Sequence, residues 1–285
     1  MSAVAARVAS ALRRHPVLAA GLALAGVALA VALLSLAWTP YPPARIAMAR
    51  RLQPPSALNW LGTDHFGRDV ASLVMAGLRN SLAIAAAGVA LGAALGVALG
   101  ATVAAIRGAA EEVAMRVVDF AYAFPAVLAA VVIAALLGAG PVATVVAIAV
   151  ANAALFARLV RAAAVDLWTR DFVRATLALG RGRIGTVFHH VLPNLAGLVA
   201  VQAATQLAVA LLVEAGLSYL GLGLQPPDAS LGRMLNDAQT HLAGAPTLAI
   251  FPGLALALAV LAAGLVGDGL RDLIDPRTAR AVARP

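Results

Sequence analysis

The sequence has no cysteine. That excludes a disulfide framework, a thiolate metal site and a thiol nucleophile. It has no lysine either, since all 21 basic residues are arginine. A P-loop needs its lysine on the β/γ-phosphates, and a pyridoxal Schiff base needs a lysine amine. The chain is therefore not a standard nucleotide-hydrolysing subunit on its own. Charge is scarce too, at 12% of the 285 residues, against about 25% in a soluble domain. Too few charges remain to coat a surface facing water. Tandem repeats and long low-complexity tails are also absent from the sequence.

Apolar residues dominate. They make up 62% of the chain, and the mean hydropathy is +0.91. About twenty apolar residues cross a bilayer core of roughly 30 Å. Six segments qualify: 17–37, 81–106, 117–137, 142–161, 195–213 and 247–267. In lipid each must be a helix, because every backbone amide needs an internal partner. The predicted fold class is an all-α integral membrane protein with six transmembrane helices. The fourth segment is the least apolar, carrying Asn152 and, near its end, Arg158, which can snorkel to the interface. The first follows Arg13 and Arg14, and Ser35-Leu36-Ala37 resembles a cleavage site. Its apolar run exceeds the usual signal core of about 7–15 residues. An uncleaved signal anchor is expected.

Arginine counts set the orientation. With the N-terminus cytoplasmic, the inside segments hold Arg7, Arg13, Arg14, Arg107, Arg116, Arg158, Arg161, Arg170, Arg174, Arg181, Arg183, Arg271, Arg277, Arg280 and Arg284, fifteen in all. The outside segments hold Arg45, Arg50, Arg51, Arg68, Arg79 and Arg233, six in all. Both termini are then cytoplasmic. The net charge of +8 sits beside helix ends, where anionic lipid and topology explain it better than nucleic acid does.

Residues 1–60 read as an anchor span with an external Pro-rich loop, and residues 61–285 as a core of five further spans. The second span carries Gly88, Gly92, Gly96 and Gly100, every fourth residue, so they form one slowly drifting ridge. Small residues at this spacing let another backbone approach closely. The ridge is either a tight seam, within the subunit or with a partner, or, more simply, ordinary internal packing.

Residues 166–194 form the most informative connection: DLWTRDFVRATLALGRGRIGTVFHHVLPN. They are charged and expected on the cytoplasmic side. RDFVRATLAL has helical propensity, and Gly180 is placed to end that helix in the left-handed region. A second short amphipathic segment follows, with Ile184, Val187, Phe188 and Val191 on one face, and Pro193 permits entry into the next span. A helix–Gly–helix element held at the membrane surface can transmit a push from a soluble partner.

This spacing resembles the EAA loop of ABC importer permeases. Arg174, Ala175 and Thr176 stand at the Glu-Ala-Ala positions, and Gly180, Leu192 and Pro193 are in register. Two positions depart: Arg174 replaces the Glu, and His190 fills an aliphatic slot beside Val191. Three further stretches resemble C-type permeases of dipeptide, oligopeptide and nickel importers: LGTDHFGRDVASLVMAGLRNSL at 61–82, GLSYLGLGLQPPDASLGRMLNDA at 216–238, and FPGLALALAVLAAGLVGDGLRDLIDPR at 251–277. MRVVDFAYAFP at 115–125 also fits. The resemblance implies a type I permease in a bacterial inner membrane. It implies a second homologous permease in a heterodimer, two ATP-binding subunits, and an extracytoplasmic solute-binding protein. ATP and magnesium would be cofactors of the partner ATPase and none of this chain. The resemblance also implies that residues 166–194 dock on the ATPase.

The polar residues divide between transport and plain structure. Gln202, Thr205 and Gln206 share a helical face. With Asn152 they either line a translocation path or make interhelical hydrogen bonds. Glu214 at the outer end of the fifth span meets either substrate or a local partner. Asp119 switches a gate or, more simply, pairs with an arginine. Asp64, Arg68 and Asp69 form either a ligand site or local caps and ion pairs. His15, His65, His189, His190 and His241 match no metal-binding spacing. The only bond-breaking alternative is an intramembrane hydrolase using Asp119 and Asp268, whose Gly267-Asp268 lacks the usual preceding glycine, while GLSYLG has the wrong spacing for a serine motif. An autonomous secondary carrier is the other rival, but intramembrane charge is sparse and no inverted halves are visible.

Overall fold

In the computed structural model, residues 15–106 and 108–274 are described. Arg7, Arg13, Arg14, Arg107, Arg277, Arg280 and Arg284 lie outside them. Helix α1 is Pro16–Ala37, α2 Val70–Ile106, α3 Ala109–Ala123, α4 Ala126–Leu137 and α5 Pro141–Leu167. Two short helices follow, α6 Asp171–Ala178 and α7 Arg183–Thr186. Then come α8 Leu192–Tyr219, α9 Leu231–Ala238 and α10 Thr247–Ile274. Five helical stretches are long and apolar enough to cross a membrane, and a bent pair would make a sixth.

That pair is the expected third span, and it is not one straight helix. α3 and α4 meet at 94°. The break falls at Phe124, which is extended with ψ 128°. Pro125 follows it, and proline disfavours helical geometry in the residue before it. The expected second span also differs: the helix starts at Val70, eleven residues before the apolar window. At 37 residues it is about 55 Å long, well beyond a bilayer core. Asp69 caps it, its Oδ2 accepting from the Ser72 N–H at 2.9 Å and the Ser72 hydroxyl at 2.7 Å.

The most extensive helix contact joins α2 to α5, and the glycine ridge makes it. Gly88, Gly92, Gly96 and Gly100 are all buried. A Cβ on Gly88 would lie 2.6 Å from Ile148, and one on Gly96 would lie 2.7 Å from the Phe156 Cβ. α1 rests on α10 through a similar pair, Gly21 against Leu265 and Val266, and Gly269 against Leu18.

Residues 38–69 and the segment around α9 meet at one end of the bundle, called outer here after the arginine asymmetry. Val70, Ala238 and Leu248 pack together there, and Asn80 Nδ2 donates to the Ala229 carbonyl at 2.9 Å. Residues 166–194 lie at the opposite, inner end, where Arg183 reaches the C-terminus of α2.

Candidate functional site

The inner-end element is two short helices joined at a glycine. α6 ends at Gly180, whose φ is +84°. The Gly180 N–H donates to the Leu177 carbonyl at 3.0 Å, and the Arg181 N–H to the Thr176 carbonyl at 3.2 Å. This pair of bonds is a Schellman motif, which a left-handed glycine completes at no steric cost. α7 follows and runs through a π turn at Val187–Val191 into α8. α7 is thus continuous with the start of a long apolar helix.

The element is fastened on one side and free on the other. Val173, Val187 and Val191 pack with Trp168 and Leu195 against Ala101, Ala104 and Ala105 of α2 and Val160 of α5. Arg183 Nη1 donates to the Ala105 carbonyl at 3.0 Å and the Ile106 carbonyl at 3.4 Å. These carbonyls end α2, so a cation there also suits the helix dipole. Ile184 and Phe188 do not share one face with the buried Val187 and Val191. They are 64% and 60% exposed. With two elements and a π turn in this stretch, the simple 3.6-residue spacing no longer holds. Arg174, Ala175 and Gly180 are exposed, Thr176 and Leu192 are half-buried, and Pro193 is exposed. Leu179 is 87% exposed. The free side is therefore apolar as well as basic.

A second feature lies at the break between α3 and α4. A cavity of about 300 Å³ is lined by Tyr122, Phe124, Pro125, Asn152, Gln206 and Val209 among others. Asn152 is buried, and its Nδ2 donates to the Ile148 carbonyl at 2.9 Å. Its Oδ1 is buried and has no hydrogen-bond partner among the described residues. Gln206 reaches the same cavity. Gln202, Thr205 and Glu214 do not line it. The Thr205 hydroxyl donates to the Val201 carbonyl at 3.1 Å and sits against Gly267 of α10. Glu214 is fully buried and has a local partner, the Ser218 hydroxyl donating to it at 2.7 Å.

Toward the inner end, a charged cleft joins α3 to α5. Arg161 Nη2 lies 2.7 Å from Glu111, and Arg158 Nη1 lies 3.2 Å from Asp119. Arg158 also stands over the Tyr122 ring at 4.7 Å, so it is held by two partners rather than merely snorkelling to an interface. Tyr122 lines the neighbouring cavity as well. Sequence reasoning missed this link; a Tyr one turn after Asp119 on α3 was the available signal. Asp268 is exposed.

At the outer end, Asp64 serves its own loop. Its oxygens accept from the Phe66 and Arg68 N–H groups at 2.9 and 2.8 Å and from Arg68 Nε at 2.6 Å. Asp69 Oδ1 accepts from Asn59 at 2.9 Å. The His65 and His241 rings stack at 5.5 Å. Among the described residues no group of three or more His, Cys, Asp or Glu side chains is arranged to hold a metal.

Residues 92–280 match the family of binding-protein-dependent transport system inner membrane components. The chain belongs to that family. Its relatives include a protein of Brucella suis biovar 1 named as a peptide permease, 42% identical over 242 residues, covering 84% of this chain and 80% of the relative. A nickel transport system permease protein of Escherichia coli K12 is 38% identical, covering 86% and 89%. A glutathione transport system permease protein of Pectobacterium atrosepticum is 37% identical, covering 93% and 88%. This chain is thus a multi-pass inner-membrane permease subunit of an ABC importer, a transport subunit and not an enzyme. The family works with ATPase and substrate-binding partners, and the hydrolysis of ATP belongs to the former.

Proposed function

We propose that this permease carries peptides across the membrane, taking them from an external solute-binding protein and moving them with a homologous permease subunit and two ATP-binding subunits. ATP and magnesium act in those ATPases. The chain crosses six times with both ends cytoplasmic, the bent α3–α4 pair making one crossing. Residues 61–285 form the transporting core behind the anchor at 1–60.

The observation that carries this reading is the two-sided element at 166–194. One side is locked to α2 and α5 by Val173, Val187, Val191 and Arg183. The other presents Phe172, Arg174, Leu179 and Ile184 to a partner. A push on that side passes through the π turn into α8, which carries Gln206. The ATPase need only favour one of two positions of this element to bias the bundle between inward-open and outward-open states.

The cavity at the α3–α4 break belongs to the path. Its polar side chains are the Asn152 and Gln206 amides and the Tyr122 phenol, and the amides donate and accept as peptide groups do. Among the described residues that line it there is no carboxylate or imidazole of the kind a divalent cation would select. A peptide is therefore favoured over a bare ion such as nickel. The test is uptake by the reconstituted importer of a labelled dipeptide and, separately, of nickel. ATP-dependent dipeptide uptake that falls at least tenfold in Asn152→Leu is expected. Nickel uptake with no peptide uptake would overturn the substrate assignment.

A further inference from the structure

A second hollow lies between α1, α2, α8 and α10. It is a groove of about 690 Å³. Its walls are almost wholly alanine and leucine, including Leu29, Ala32, Leu36, Ala83 and Leu207. The small alanine side chains are what leave it open. Along α1 it runs from Ala25 to Leu36, eleven steps of helix, or about 16 Å. That is half the roughly 30 Å bilayer core, the depth of one leaflet.

Only Arg79 and Asn80 are polar in its lining. Both are on α2, at the end of the groove where α1 stops. Arg79 Nη1 donates to the Ser35 carbonyl at 3.3 Å, and Nε to Asn80 Oδ1 at 3.2 Å. Neither partner carries charge. A guanidinium has five N–H donors, so three remain. Among the described residues no carboxylate pairs with Arg79. An unpaired cation at the edge of a hydrocarbon zone is costly unless an anion meets it.

We propose that this groove is a phospholipid site, with an acyl chain along α1 and the phosphate on Arg79. The guanidinium fork fits two phosphate oxygens, and the apolar channel fits the chain behind them. A helix of the second permease fits less well. An apolar helix face would leave the three remaining Arg79 N–H groups without an anion. The leaflet, outer by the arginine asymmetry, rests on the proposed orientation; the site itself does not.

The test is native mass spectrometry of the delipidated importer, with dioleoylphosphatidylglycerol and dioleoylglycerol as probes. Arg79→Gln is expected to weaken retention of the phospholipid about tenfold or more and to leave diacylglycerol retention unchanged. Arg79→Lys should keep most of the phospholipid binding. Ala83→Phe, which fills the groove without touching the charge, should lose both lipids. It carries the test alone if Arg79→Gln fails to fold. Unchanged phospholipid retention in either Arg79→Gln or Ala83→Phe overturns the proposal. So does a cross-link from Leu29→Cys to a helix of the second permease. Binding is read directly, so the outcome is independent of whether the importer carries peptides.

Discussion

Gly180 allows the proposed coupling element to be perturbed through the backbone alone. Its φ is +84°, and a Cβ built on it meets no atom within 4 Å. A substitution there changes conformational energy without crowding a neighbour. Alanine in the left-handed region costs about 1–2 kcal/mol. Asparagine tolerates that region better. Proline cannot reach it, because its ring holds φ near −65° and removes the N–H. That N–H is the one bonded to Leu177 at 3.0 Å. Losing both bonds of the motif adds about 1–3 kcal/mol. A change of 1–2 kcal/mol moves a two-state ratio about 5- to 30-fold. Uptake should therefore fall in the order glycine, asparagine, alanine, proline. The assay is ATP-driven uptake into proteoliposomes containing the whole importer, normalised to inserted protein, with ATP hydrolysis measured on the same vesicles. Hydrolysis should persist while uptake is lost. Equal uptake by wild type and Gly180→Pro would refute the coupling role. Asparagine as damaging as proline would refute the argument from φ.

Other outcomes test the packing of the helices. Gly96→Val sets a side chain against Phe156 and the α5 backbone and should cost about 1–3 kcal/mol or more, read as a lower melting temperature in detergent. Gly26→Ala, in α1 with nothing within 4 Å of the new Cβ, should be neutral or stabilising by up to about 1 kcal/mol. A double-mutant cycle on Glu111 and Arg161, joined at 2.7 Å, should give a coupling of about 1 kcal/mol that shrinks with added salt. An unchanged coupling in high salt would mean that packing, not charge, joins α3 to α5.

Much of this architecture was legible in the residues. Long apolar runs located the crossings because lipid leaves a chain little choice but helix. The Gly180 turn was legible because a left-handed helix end favours glycine. The α3–α4 break was not, since summed hydropathy treats Pro125 as one more apolar residue and overlooks its effect on Phe124. The early start of α2 was hidden for a related reason. Hydropathy ends at Arg79 and Asn80, while helical propensity and the Asp69 cap carry the helix on to Val70. At the candidate site, Asn152 and Gln206 could be named as polar intramembrane residues, but not their meeting in one cavity, which depends on how α5 and α8 pack. Ile184 and Phe188 were placed by helical spacing, and the π turn after Thr186 changed that spacing.

The absences in the sequence make the central claim directly testable. With no cysteine and no lysine, a single introduced thiol is the only site on the side chains for a thiol-to-amine cross-linker, and the amine it captures must come from a partner or an N-terminus. Leu179→Cys places that thiol at the exposed tip after α6, and Leu58→Cys places it at the opposite end, where Leu58 is also exposed. In the assembled importer, Leu179→Cys should capture the ATPase subunit and Leu58→Cys should not. Capture of the ATPase from position 58 and none from position 179 would contradict the account.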